Sequence, residues 1–115
     1  MKIEDNYRQK FYNAFRGIFS VVITENSMKI HLVMAALVII VACVARLALW
    51  KWAVLLLTIG LVLITEIINT AIETVVDLYC ESYHPKAKLA KDIAAGAVLV
   101  AAIIAVLMGI VIFLF

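Results

Sequence analysis

The sequence predicts an all-α integral membrane protein with three transmembrane helices and an N-terminal amphipathic helix on the membrane surface. Two observations carry that class. The 115 residues are 67% hydrophobic with a mean hydropathy of +1.14, and three long apolar stretches are separated by short polar breaks. An ordinary soluble domain is about 45–50% apolar, and a chain this short leaves too much surface exposed to hide such a content from water. Lipid is the solvent that fits. The length leaves room for a single domain, residues 1–115. The net charge of +2 selects no partner by itself.

The first element is a helix over residues 7–25. Phe11, Phe15, Ile18 and Val22 recur at i, i+4, i+7 and i+11, with Gln9, Asn13, Arg16 and Ser20 on the opposite face. Lying flat on the bilayer and packing against the bundle both satisfy that pattern. Met1 to Asn26 is mixed polar and charged, so no signal peptide is expected.

The first span covers about 30–50. Leu32 to Ala45 is unbroken apolar sequence, and Leu47 to Trp50 continues it beyond Arg46. Arg46 and Lys51 can snorkel to the far interface while Trp50 and Trp52 sit in the headgroup layer. Lys51-Trp52 is the expected turn. The second span, about 52–78, is apolar from Ala53 to Ile64 and then polar along one side as far as Asp77. Pro85 and its neighbours break the chain, so Tyr79 to Leu89 reads as a loop. The third span, about 90–115, includes an uncharged run from Ile93 to Phe115, long enough at ~1.5 Å per residue to cross roughly 30 Å of hydrocarbon. Ala94, Ala97, Ala101 and Ala105 form a stripe on it, with Gly96 and Gly109 nearby, which predicts close helix packing.

Orientation follows from the basic residues. Lys2, Arg8, Lys10, Arg16 and Lys29 precede span one, and Lys86, Lys88 and Lys91 lie between spans two and three. Three spans put both groups on one side, against Arg46 and Lys51 on the other. The positive-inside rule makes that side cytoplasmic and places the C-terminus outside.

Chemistry is concentrated on span two. Glu66, Asn69, Glu73 and Asp77 are spaced i, i+3, i+7 and i+11, within an arc of about 80° at ~100° per residue. Thr70 lies beside them, and Ile67, Ile68, Ile72, Val75 and Val76 cover the other faces. Counted from Trp52, Glu66 sits ~21 Å along the axis and Glu73 ~31 Å, at ~1.5 Å per residue. Glu66 is thus inside the hydrocarbon and Glu73 near its cytoplasmic edge. A carboxylate at mid-membrane costs at least ~2.5 kcal/mol; protonation, pairing or water access would relieve it, and such surroundings suit a general base. Lys91 and Asp92 on span three, with Arg16 and Glu25 from the N-terminal segment, converge on the same face. Carboxylates beside a basic group suit a Mg²⁺–phosphate ligand. An interhelical hydrogen-bond network holding an oligomer together and a cation pathway use the same residues, and Lys91 alone would read as a snorkelling anchor.

Glu66-Ile-Ile-Asn69-Thr-Ala-Ile-Glu73-Thr-Val-Val-Asp77, followed by Tyr83-His84-Pro85 and Ala90-Lys91-Asp92, resembles the small prokaryotic lipid kinases of the diacylglycerol kinase/undecaprenol kinase family. The resemblance extends from Ala14-Phe15-Arg16-Gly17 and Glu25 through all three spans. It implies a homotrimer with composite active sites at the cytoplasmic surface of the cell membrane. There the γ-phosphate of ATP passes to the terminal hydroxyl of a lipid. It also implies Glu66 as general base with Asn69 beside it, Glu25 and Glu73 as Mg²⁺ ligands, and Lys91 on the phosphates. Asp77 and Asp92 would hold the nucleotide end, with Arg16 assisting. Glu25-Asn26-Ser27-Met28-Lys29-Ile30-His31 departs from the family's Glu-x-Asn-aromatic-basic-Ile-His pattern at Ser27 and Met28. Lys29-Ile30-His31, Tyr83-His84-Pro85 and Ala94-Ala95-Gly96-Ala97-Val98 are more similar to the undecaprenol kinase branch, so undecaprenol is the expected acceptor and diacylglycerol the alternative.

Other motifs are missing. No GxxxxGK[ST] or glycine-rich loop is present to cradle phosphate. Cys43 and Cys80 form no CxxC pair, and His31 and His84 sit in no metal-ligand spacing, so inert thiols and no zinc site are expected. A small ion or proton conductor using Glu66 and Glu73, or a structural, holin-like membrane protein, are the competing classes. Neither they nor the kinase implies nucleic acid.

Overall fold

The computed structural model describes residues 6–115, and helix is the regular secondary structure found over them. Lys2, counted above, lies outside these residues. Helix α1 runs Tyr7–Thr24, α2 Asn26–Ala45, α3 Leu49–Tyr79 and α4 Pro85–Leu114. The last three are each long and apolar enough to cross a membrane, as expected.

The helix ends follow local chemistry. Asn6 caps α1, its side-chain oxygen accepting from the Gln9 N–H at 2.9 Å. Glu25 alone separates α1 from α2. Its extended backbone closes α1 through an N–H donated to the Val21 carbonyl and is also the residue from which α2 starts. No residue of α1 is fully buried; Val21 and Val22 at its end are half-buried, where the helix meets α2 and α3.

Two boundaries differ from the sequence expectation. The turn between the first two spans is Arg46 to Ala48, not Lys51-Trp52. Arg46 adopts the left-handed conformation (φ 54°) and closes α2 with its N–H on the Ala42 and Cys43 carbonyls. Lys51 and Trp52 are already inside α3, and Trp52 packs against the core cluster. The second break is shorter than Tyr79–Leu89. Proline lacks an N–H but fits the first helical turn, where that N–H has no intrahelical partner. Pro85 therefore begins α4, and His84 caps it by accepting the Lys86 N–H on Nδ1 at 3.1 Å. Lys91 and Asp92 consequently lie in the second turn of α4 rather than at its start.

The spans run up, down and up, and α4 packs chiefly along α3. The tightest core is Ala42, Leu55 and Ile112, flanked by Val38, Ile59 and Met108 among others. It joins the end of α2, the start of α3 and the end of α4, so it sits at the membrane face away from the acidic stripe. Ala94 and Ala101 are buried, but Ala97 is exposed. Ala97 lies at the edge of the alanine arc, outside the contact. Cys43 and Cys80 are both free thiols.

Candidate active site

On α3 the acidic stripe divides by depth. Glu66, Asn69 and Thr70 are the buried polar residues among those described, Glu66 at 3% exposure. Glu73 is half-buried and Asp77 exposed. The hydroxyls of Thr70 and Thr74 donate to the carbonyls of Glu66 and Thr70, at 3.0 and 2.8 Å. Such back-bonding lets a hydroxyl sit in an apolar helix, and it leaves the acids and Asn69 as the groups free for chemistry.

Glu66 finds its partners on α2. Ser27 donates its hydroxyl to Oε1 at 2.8 Å, and His31 Nε2 lies 3.5 Å from Oε2. The expected deep carboxylate is therefore relieved by pairing. Asn69 is different: its buried Oδ1 has no hydrogen-bond partner among the described residues. A buried amide oxygen without a donor is costly and uncommon.

The shallower groups form ion pairs. Lys91 Nζ meets Asp77 Oδ1 at 2.5 Å, joining α4 to α3, and Lys88 Nζ meets Asp92 Oδ2 at 2.6 Å within α4. Glu73 and the half-buried Glu25 have no ion pair among the described residues. Arg16 lies over the Tyr12 ring, 5.9 Å from its centre, on the exposed α1. Of the residues singled out by sequence, the structure joins Lys91 to Asp77 and buries Glu66 with Asn69. It records no side-chain bond from Arg16 or Glu25 to the stripe. Among the described residues no three His, Cys, Asp or Glu side chains converge as a metal cage.

Ser27 and His31 were not singled out as site residues. Their signal was the i, i+4 spacing that puts both on one face of α2 just after Glu25. His31 also lines an apolar cavity of about 570 Å³ between α2, α3 and α4, with Met34, Leu55, Val62, Ala105 and Ile112 among its walls. The cavity runs from the level of Glu66 towards the opposite core.

A buried acid at the end of an oily cavity, with a Lys91–Asp77 ion pair about three turns shallower, is an arrangement for chemistry on an amphiphile. Comparison with known proteins agrees. The family model described as prokaryotic diacylglycerol kinase matches residues 12–113. The undecaprenol kinase of Bacillus subtilis (strain 168) is 40% identical over 110 residues, covering 96% of this chain and 89% of that protein. A diacylglycerol kinase of Synechocystis is 44% identical over 109 residues, covering 94% of this chain and 62% of that one. The diacylglycerol kinase of Escherichia coli (strain K12) is 34% identical over 94 residues, covering 82% and 77%. The chain belongs to the prokaryotic diacylglycerol kinase family and is a lipid kinase.

Proposed function

We propose that this chain transfers the γ-phosphate of ATP to the terminal hydroxyl of undecaprenol at the cytoplasmic face of a prokaryotic cell membrane. The observation that carries this reading is the position of Glu66, almost fully buried and touching the His31 that lines the apolar cavity. A long lipid alcohol held in that cavity presents its hydroxyl at the level of Glu66. Glu66 takes the hydroxyl proton as the oxygen attacks the γ-phosphorus; the bond to ADP breaks and the proton stays on the carboxyl group. Asn69, with its unpaired Oδ1 one turn away, accepts a hydrogen bond from a reactant.

Lys91 supplies positive charge to the phosphates, exchanging Asp77 for them when nucleotide binds. Asp77, Asp92 and Arg16 surround the nucleotide end. Mg²⁺ is normally held by one or two carboxylates together with substrate phosphates rather than by an all-protein cage. Glu73 and Glu25, acids without an ion pair among the described residues, suit that role. When bound, the ion neutralises charge developing on the transferred phosphoryl group.

In the sequence, the eight basic residues in the segment before the first apolar run and in the one between the second and third favour a cytoplasmic site and N-terminus. Helix α1 exposes Phe11, Phe15 and Phe19, which suits a helix lying on the bilayer. One chain leaves Glu73 and Asp77 with few walls. An open apolar face on α3, lined by Ile67, Ile68, Ile72 and Val75, supports closure of the site by neighbouring copies in a homotrimer.

The test uses purified protein in mixed micelles with Mg²⁺ and γ-labelled ATP, offering undecaprenol and diacylglycerol separately, with Glu66→Gln as control. Label is expected in undecaprenyl phosphate, with little in phosphatidic acid, and a loss of about 10²–10⁴-fold in the control. The opposite preference would replace the acceptor with diacylglycerol, a reading favoured by the 44%-identical Synechocystis relative. No label in either lipid, with current across a bilayer in the absence of nucleotide, would replace the kinase reading with a conductor.

A further inference from the structure

Ser27 stands where the family pattern resembled by this chain has asparagine, yet its hydroxyl makes the shorter of the two contacts to Glu66. Ser27 and His31 are one helical turn apart on α2, and their shared face meets α3 at Glu66. The two contacts are complementary. Oε1 accepts from Ser27 at 2.8 Å and Oε2 faces His31 Nε2 at 3.5 Å, so each carboxylate oxygen has one partner. Neither comes from α3 itself, because the Thr70 hydroxyl is bound to the Glu66 carbonyl instead.

A glutamate has three side-chain torsions, and a base is effective only when a lone pair is directed at the proton it removes. Partners on both oxygens fix the plane of the carboxylate. We propose that Ser27 and His31 are positioning residues that clamp the Glu66 carboxylate from α2, with His31 setting the oxygen on the side of the apolar cavity. The clamp rests on the lipid-kinase reading with Glu66 as base. Ser27 anchors Oε1, and the imidazole meets Oε2 while forming part of the cavity wall. An acceptor hydroxyl arriving along that wall reaches an oxygen already oriented towards it. The rate of transfer, rather than the affinity for either substrate, depends on the clamp.

The experiment measures kcat and KM for ATP and undecaprenol in Mg²⁺-containing mixed micelles. The proteins are the wild type, Ser27→Ala, Ser27→Thr, His31→Leu and His31→Gln, together with Ser27→Ala and His31→Leu in the Glu66→Gln background. Removing a hydrogen bond to a charged group is expected to lower kcat about tenfold for Ser27→Ala and a few-fold for the longer His31 contact. KM for ATP stays within about twofold, because the clamp acts after binding. Threonine keeps the hydroxyl and glutamine places an N–H near the Nε2 position, so both restore most of the rate. In the Glu66→Gln background neither truncation lowers kcat further, since the effect runs through the carboxylate. Unchanged kcat in both truncations, or the same proportional loss with Glu66 already replaced, would overturn the clamp while wild-type transfer leaves the kinase reading standing. Absence of transfer by the wild type would overturn both, and that result is visible before any variant is compared.

Discussion

Asn69 offers the sharpest separation of stability from activity in this chain. Its Oδ1 is buried without a partner among the described residues, and leaving a buried acceptor unpaired costs about 1–3 kcal/mol. Asn69→Leu keeps the same branching and heavy-atom count but removes both polar atoms. In a membrane protein the unfolded chain also finds hydrogen-bond partners, and polar contacts there average only ~0.6 kcal/mol. The penalty relieved therefore belongs at the low end. The variant is expected to be more stable by about 1 kcal/mol, measured by reversible unfolding in mixed micelles of increasing denaturing-detergent fraction. Phosphate transfer should fall at least tenfold, because the unpaired oxygen is the one available to a reactant. The reasoning would be refuted by a variant destabilised by more than about 1 kcal/mol that still transfers phosphate at the wild-type rate. That pair of results would mean that Oδ1 has a structural partner in the assembled protein and no role with substrate.

Two further outcomes test the shallower groups. Glu73→Gln should raise the Mg²⁺ concentration needed for half-maximal activity at least tenfold while leaving KM for the lipid unchanged, read from titrations of Mg²⁺ at fixed ATP. Lys91→Ala should raise KM for ATP about tenfold with little change in the unfolding transition, since its ion pair with Asp77 is largely exposed and such pairs add little to stability; a loss confined to the lipid KM would remove Lys91 from the nucleotide end.

Hydropathy and periodicity make much of this molecule legible in its sequence. Three spans, a separate N-terminal helix and one polar edge on α3 follow from apolar runs and from the 3.6-residue repeat. The helix ends were less legible, for local reasons. Arg46 closes α2 in a left-handed conformation that favours glycine, so its identity gave no sign of a turn. Pro85 signals a break in sequence, although its missing N–H suits the position where α4 begins. The partners of Glu66 were hidden for a different reason. Ser27 lies 39 residues away along the chain, and only the docking of α2 on α3 brings them together. Uniformly apolar helices also gave no hint that the tightest packing would lie at the end away from the acids.

The length of α3 has a thermodynamic consequence. Its 31 residues span about 46 Å at ~1.5 Å per residue, against roughly 30 Å of hydrocarbon. In the proposed placement the surplus carries Glu73 and Asp77 across the phase boundary, while Glu66 stays in the hydrocarbon. Withdrawing a long isoprenoid from the bilayer would cost on the order of 0.8 kcal/mol for each buried methylene-sized group, and drawing a nucleotide triphosphate into hydrocarbon would cost far more. With α3 as a ruler between the phases, neither transfer is needed. At the proposed site the alcohol and the nucleotide would meet at the boundary with each still dissolved in its own solvent, and partition free energy would drop out of the barrier.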